Sequence, residues 1–283
     1  MKITIIPNSI NNIDDYTKIG AKAFIFGLKG YSSGYNNSLT LEEIKKIKSD
    51  SYELFIAINK NIFNSELEEL ERIMKELDEI KINGILFYDM AVLNIKKRNN
   101  LSLDLVWNQT HMVTNYNTCN YYYSHEVKYG VLASEITLDE INEIKEKTDM
   151  KLFLNVLGYQ IMSYTRRKLL GNYYKSIGKE KAKDKYIITN NNEEYILNEE
   201  ENGNAIYYGK PLNGSIIIPK LDLDYIILNE DNFEHDKFIK ITDLFNKLLE
   251  SKDEKYIKEI DDLIGDYRGF FFTKTIYKVK KNG

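Results

Sequence analysis

Short apolar runs and amphipathic stretches take turns along the first half of this chain. Residues 3–6 form the first apolar run, and residues 11–19 follow with helical spacing. Further runs at 23–26, 54–58, 84–88, 102–107, 129–133 and 151–157 are each followed by a helix or by a segment long enough to hold one. Thr40 or Ser38 in one place, and Thr137 in another, stand before acidic first turns, where a capping hydroxyl and negative charge both favour a helix start. Residues 65–80 predict a long amphipathic helix, with shorter ones over 91–97 and 116–125. Strict strand–helix alternation implies a parallel sheet with right-handed crossovers. So many consecutive units argue for a TIM-like (β/α) barrel, whole, incomplete or distorted, over an open sheet.

The alternation stops after Tyr174. Polar turns there separate short apolar segments beginning at Tyr186, Tyr195, Ala205 and Ser215, which read as hairpins of a small β insertion. Residues 224–228 then supply a last barrel strand and 236–249 its helix. The expected organisation is a barrel of residues 1–174 and 223–250, an insertion over 175–222, and a C-terminal helix with a basic, aromatic tail over 251–283. Which strands meet at the closing seam stays open at this level.

Composition narrows the chemistry. The 283 residues are 43% hydrophobic and 29% charged, a globular profile with room for a large core. No apolar stretch reaches the length of a transmembrane helix, and the N-terminus reads directly into a strand rather than as a signal peptide, so the expected location is cytoplasmic. The formal net charge of −4 means that any nucleic-acid contact needs a local basic surface. One cysteine, Cys119, allows no internal disulfide and no all-cysteine metal or iron–sulfur site in this chain, and no metal site is expected. Glycine-rich nucleotide loops, H-E-x-x-H and G-x-S-x-G are all lacking. Cys119 and His125, six residues apart in one predicted helix, would lie on different faces.

Candidate site residues follow the strand ends, because ligands of parallel β/α proteins bind there. Just beyond 151–157 come Arg166 and Arg167, planar cations suited to phosphate or carboxylate, with Asn172 and Tyr173 behind them. The alternative is that both arginines lie on a solvated helix face. Glu135 follows the 129–133 strand and either projects into the mouth or belongs to the next helix cap. Asn108, Gln109 and His111 follow the 102–107 strand; an amide there carries donor and acceptor side by side and can read a base edge or a ribose. Asn115 is a helix-cap candidate. Tyrosines and cations around 166–174 and in the C-terminal tail suit RNA contact, although the tail also reads as an edge strand.

Ordered along the chain, Leu39-Thr-Leu-Glu-Glu-Ile44, Ala57-Ile-Asn59, Asn83-Gly84-Ile-Leu-Phe-Tyr-Asp89, Gln109-Thr-His-Met-Val-Thr-Asn115, Val131-Leu-Ala-Ser-Glu135 and the 158–173 segment resemble the peptidase U32 family. The family label implies a collagenase-like hydrolase. Better-supported members are associated with oxygen-independent hydroxylation of RNA or ubiquinone, many through a four-cysteine iron–sulfur cluster. Ile161 and Lys168 stand where two of those cysteines would be, while Gly158, Met162 and Asn172 match the pattern. Phe63 replaces a common histidine before Asn64, and the last strand ends Ile227-Leu-Asn229-Glu230 in place of Lys-x-Asp/Glu-Gly. The chain is most similar to short, cysteine-poor members that accompany a cluster-bearing U32 partner in tRNA wobble-uridine hydroxylation. The resemblance implies that Arg166 and Arg167 hold a phosphate or a prephenate-like carboxylate donor, with Gln109 and Glu135 as the catalytic, orienting pair. A collagenase-like peptidase and a catalytically silent scaffold are the competing expectations.

Overall fold

The computed structural model describes residues 1–109, 113–181, 183, 185–200 and 203–274. In chain order the elements are β1 (Lys2–Ile6), α1 (Ile13–Lys18), β2 (Ala23–Leu28), β3 (Ser38–Leu39), α2 (Leu41–Ile47), β4 (Glu53–Ile58), α3 (Leu67–Ile80) and β5 (Gly84–Phe87). They continue with α4 (Met90–Asn99), β6 (Asp104–Trp107), α5 (Tyr116–Ser124), β7 (Tyr129–Val131), α6 (Leu138–Glu146), β8 (Lys151–Gly158), β9 (Ile161–Thr165) and α7 (Leu169–Ser176). The chain then forms β10 (Lys185–Asn190), β11 (Glu193–Glu200), β12 (Gly203–Tyr208), β13 (Leu212–Asn213), β14 (Tyr225–Asn229), α8 (His235–Ser251) and α9 (Lys255–Ile264).

β1, β2, β4, β5, β6, β7, β8 and β14 form a closed parallel barrel of eight strands, the expected TIM-like fold. The seam lies at β1, which pairs with β14 (Ile6 opposite Asn229) and with β2 (Thr4 opposite Ala23). Alternation along each strand sorts the apolar residues. Ala23, Ile25, Phe55, Ala57, Leu86, Val131, Phe153 and Ile227 pack together inside, while Phe24, Phe26, Leu54 and Ile56 join the larger cluster beneath the helices. Aromatic rings fill the lower barrel: Phe153 and Tyr225 stack at 4.1 Å, and Phe55 meets Phe153 edge-on at 5.4 Å. Above that plug, two cavities lie toward the carboxyl ends of the strands.

Thr40 and Thr137 each close a capping box, with Glu43 and Glu140, so the acidic first turns act as the sequence suggested. Asn115 caps α5 by accepting from the Thr118 N–H. Two segments differ from the sequence expectation. Residues 161–165 are a strand, not a loop or helix face: β9 joins β10, β11 and β12 in an antiparallel sheet, seating Ile161 and Tyr164 against Ile196, Ala205 and Tyr207. Residues Ser215–Lys220 form a 3-10 helix instead of a hairpin strand. Pro219 offers no N–H to a ladder, and Ile217 and Ile218 are fully buried against the barrel, so tertiary burial decides that segment. Residues 275–283 of the expected tail lie outside the described residues.

Candidate functional site at the barrel mouth

Two connected cavities occupy the open end of the barrel. The inner chamber, about 140 Å³, sits directly above the plug, and the outer groove, about 560 Å³, runs between the rim and β9. Ser33, Gly34, Asn59, Asn108 and Ile161 belong to both walls.

Asparagines carried by four different strands or their tips line the chamber: Asn59 after β4, Asn108 after β6, Asn155 within β8 and Asn229 at the end of β14. Asn155 shares its inward parity with Phe153, so the two-residue repeat points its amide into the barrel. Asn59 clamps the loop after β2 from both ends of its amide, accepting from Ser33 N–H and donating to Ser33 C=O, each at 2.9 Å. Asn229 accepts the Asp231 N–H at 3.0 Å. Among the described residues, the side-chain amides of Asn108 and Asn155 have no hydrogen-bond partner. Gly158 makes the chamber possible. Its φ is +137°, and a Cβ there would stand 2.9 Å from Asn229 Cβ.

The outer groove is cationic and aromatic. Lys60 is buried, pairs with Glu66 at 2.5 Å and lies 4.3 Å over the Tyr31 ring. The exposed Arg166 stacks 4.7 Å over Phe63 and reaches the Asn61 carbonyl within 3.5 Å. Desolvation raises the Glu66 carboxyl, but hydrogen bonds from Lys60 and the Phe63 N–H, with attraction from Lys60 and Arg166, outweigh it and hold Glu66 below its ordinary range. The antiparallel sheet forms the far wall, held by a 2.8 Å hydrogen bond from Ser33 Oγ to Tyr164 Oη.

Of the residues singled out from sequence, Asn108, Gln109 and Arg166 line this space. Arg167, Asn172 and Tyr173 are exposed at and along α7, and none of them lines either cavity. Glu135 is half-buried on the turn after β7; its neighbour Ser134 lines the chamber, but Glu135 does not. His111 lies outside the described residues. Of Gln109, Glu135, Arg166 and Arg167, expected from the resemblance to act on one ligand, the two cavities thus take in Gln109 and Arg166. Sequence reasoning missed Asn155, Asn229, Gln160 and Lys60. A polar residue inside the apolar run Leu152-Phe-Leu-Asn-Val was the available signal for Asn155.

Glu230 serves the seam, not the cavity. Fully buried, it accepts the Asn8 N–H at 2.5 Å and His235 Nδ1 at 2.8 Å, tying β14 to the loop after β1. Cys119 is buried in α5, and burial pushes its thiol up to about 11, far from a ready nucleophile. Among the described residues no group of three or more His, Cys, Asp or Glu side chains is arranged to hold a metal ion. No helix among them is long and apolar enough to cross a membrane.

The model described as "Peptidase family U32" matches residues 8–265. "tRNA hydroxylation protein P2" of Bacillus subtilis (strain 168) is 28% identical, over 98% of this chain and 99% of that protein. "tRNA hydroxylation protein P1" of the same strain is 24% identical over 54% of this chain and 38% of its own length. The "23S rRNA 5-hydroxycytidine C2501 synthase" of Escherichia coli (strain K12) is 23% identical over 52% of this chain and 22% of that protein. The chain thus spans the whole of one relative and less than half of the longer ones.

Proposed function

Because the chain belongs to peptidase family U32, we propose that it takes part in RNA hydroxylation, at tRNA wobble uridine, beside a four-cysteine U32 partner. The end-to-end match to tRNA hydroxylation protein P2 carries the reading. A single cysteine cannot supply a cluster's thiolates, so redox chemistry is assigned to the partner. In this picture the chain binds and orients. Arg166, with Lys60 behind it, offers the groove's positive charge to a phosphate or to a prephenate-like carboxylate donor. Gln109 orients the group bound there and Asn108 reads the substrate. Glu135, outside both cavities on the turn beside Ser134, is left to meet a part of the ligand that extends past the rim. Arg167, Asn172 and Tyr173 lie farther out, where a longer RNA would pass. A peptidase reading gains no support from Cys119, whose thiol is buried and protonated at neutral pH.

Mass spectrometry of tRNA nucleosides tests this in a strain lacking the gene. The hydroxylated wobble uridine is expected to vanish and to return on re-expression. Unchanged nucleosides in the deletion strain would overturn the assignment.

A further inference from the structure

Charge divides the mouth in two. None of the residues lining the inner chamber is a lysine, arginine, histidine, aspartate or glutamate, whereas the groove outside it carries Lys60 and Arg166. The amides of Asn59, Asn108, Asn155, Asn229 and Gln160, with serine and tyrosine hydroxyls beside them, give the chamber its polar atoms above a floor of Leu86, Val131 and Ile227. Burial pushes the Tyr35 phenol in the same wall upward, so it too stays neutral. An ion entering this space would lose its hydration with no counter-charge to meet it. A flat, uncharged group rich in donors and acceptors meets amides at its edge and aliphatic carbon at its face. Size selects further. A cavity of about 150 Å³ admits one benzene ring, so the chamber's 140 Å³ matches a single six-membered heterocycle more closely than a fused pair.

The chamber opens to the groove along the shared wall at Ser33, Asn59 and Asn108. A ring seated inside would leave its sugar and phosphate in the groove, on the side where Arg166 lies. Unstacked bases are read in this way, by hydrogen bonds to the base edge in a fitted pocket. We propose that the inner chamber holds one flipped-out pyrimidine base, so that this cysteine-poor chain is the base-holding subunit. An anionic donor is kept to the groove or to the partner. The inference rests on the RNA reading above and adds to it which chain, and which compartment, receives the base.

Saturation-transfer NMR on the purified full chain tests it, with uridine, cytidine, adenosine, guanosine and prephenate as probes. Both pyrimidine nucleosides should bind, the purine nucleosides at least tenfold more weakly, and prephenate should not displace uridine. Asn155→Leu should weaken uridine binding at least tenfold; Asn108→Ala makes the same test should the first variant fold poorly, with circular dichroism checking both. Equal binding of purines, displacement of uridine by prephenate, or wild-type uridine affinity in a folded variant would overturn the assignment. So would the absence of any pyrimidine signal. If the deletion strain still loses its hydroxylated uridine in that case, the RNA reading survives and only the chamber is reassigned. Pyrimidine binding together with unchanged tRNA would instead remove the RNA reading and leave the base pocket standing.

Discussion

The two walls of the mouth are built on opposite terms. The barrel side presents amides on strands and strand tips, half-buried and uncharged, above a solid aromatic plug. The other side comes from β9 of the antiparallel sheet and presents Met162 at 57% exposure beside an exposed Arg166. Rigid strand-borne groups fix geometry, so the barrel wall suits selection of a ring by shape and hydrogen bonding. Exposed cations act through a screened field and suit attraction of a backbone phosphate at little cost in specificity. In the proposed reading, selection falls to the strand-borne amides, while attraction is shared by Lys60 at the barrel rim and Arg166 just beyond β9.

Breaking the barrel side should cost most. Phe153→Ala removes the ring that stacks on Tyr225 and meets Phe55, and urea unfolding should register a loss of about 3–5 kcal/mol. Gly158→Ala comes next, at about 1–3 kcal/mol, because a left-sided φ and a Cβ contact with Asn229 are forced together. The expected result is a lower unfolding midpoint with impaired ligand binding.

The sheet side should behave differently. Arg166→Ala is expected to leave stability within about 0.5 kcal/mol while weakening RNA binding and lowering its salt dependence by about one counterion. Arg167→Ala, outside the groove, should do less; equal effects would erase the distinction drawn between the twin arginines. The smallest effect concerns acid. Glu66 is held below its ordinary value of 4.5, so its pairing stabilises the fold above about that pH and fades as the pH falls through the lowered value. Glu66→Gln should therefore lower stability modestly at neutral pH, where the pair with the buried Lys60 is fully formed. It should also flatten part of the acid limb of the stability–pH curve, the variant and wild type converging as the pH falls.

Much of the barrel was legible because its strands, covered on both faces, are near-continuous apolar runs. The seam was not, since no local pattern records that β1 pairs with both β14 and β2. β9 escaped notice for a related reason. Ile161-Met-Ser-Tyr-Thr is mixed in polarity and becomes a strand only through β12, where Gly203 lets the backbones approach so closely that a Cβ would clash with the Thr165 carbonyl. Gln109 and Arg166 were readable as residues beyond strand ends. Asn155 and Asn229 needed strand parity and closure, and Lys60 needed the fold to bring Tyr31 beneath its ammonium group.

Nucleoside mass spectrometry in the deletion strain complemented with Asn155→Leu bears on the central claim most directly. With the variant folded and expressed at wild-type level, the hydroxylated wobble uridine should stay as depleted as in the deletion itself. Full restoration of that nucleoside by the variant would contradict a base-holding role for the amide-lined mouth.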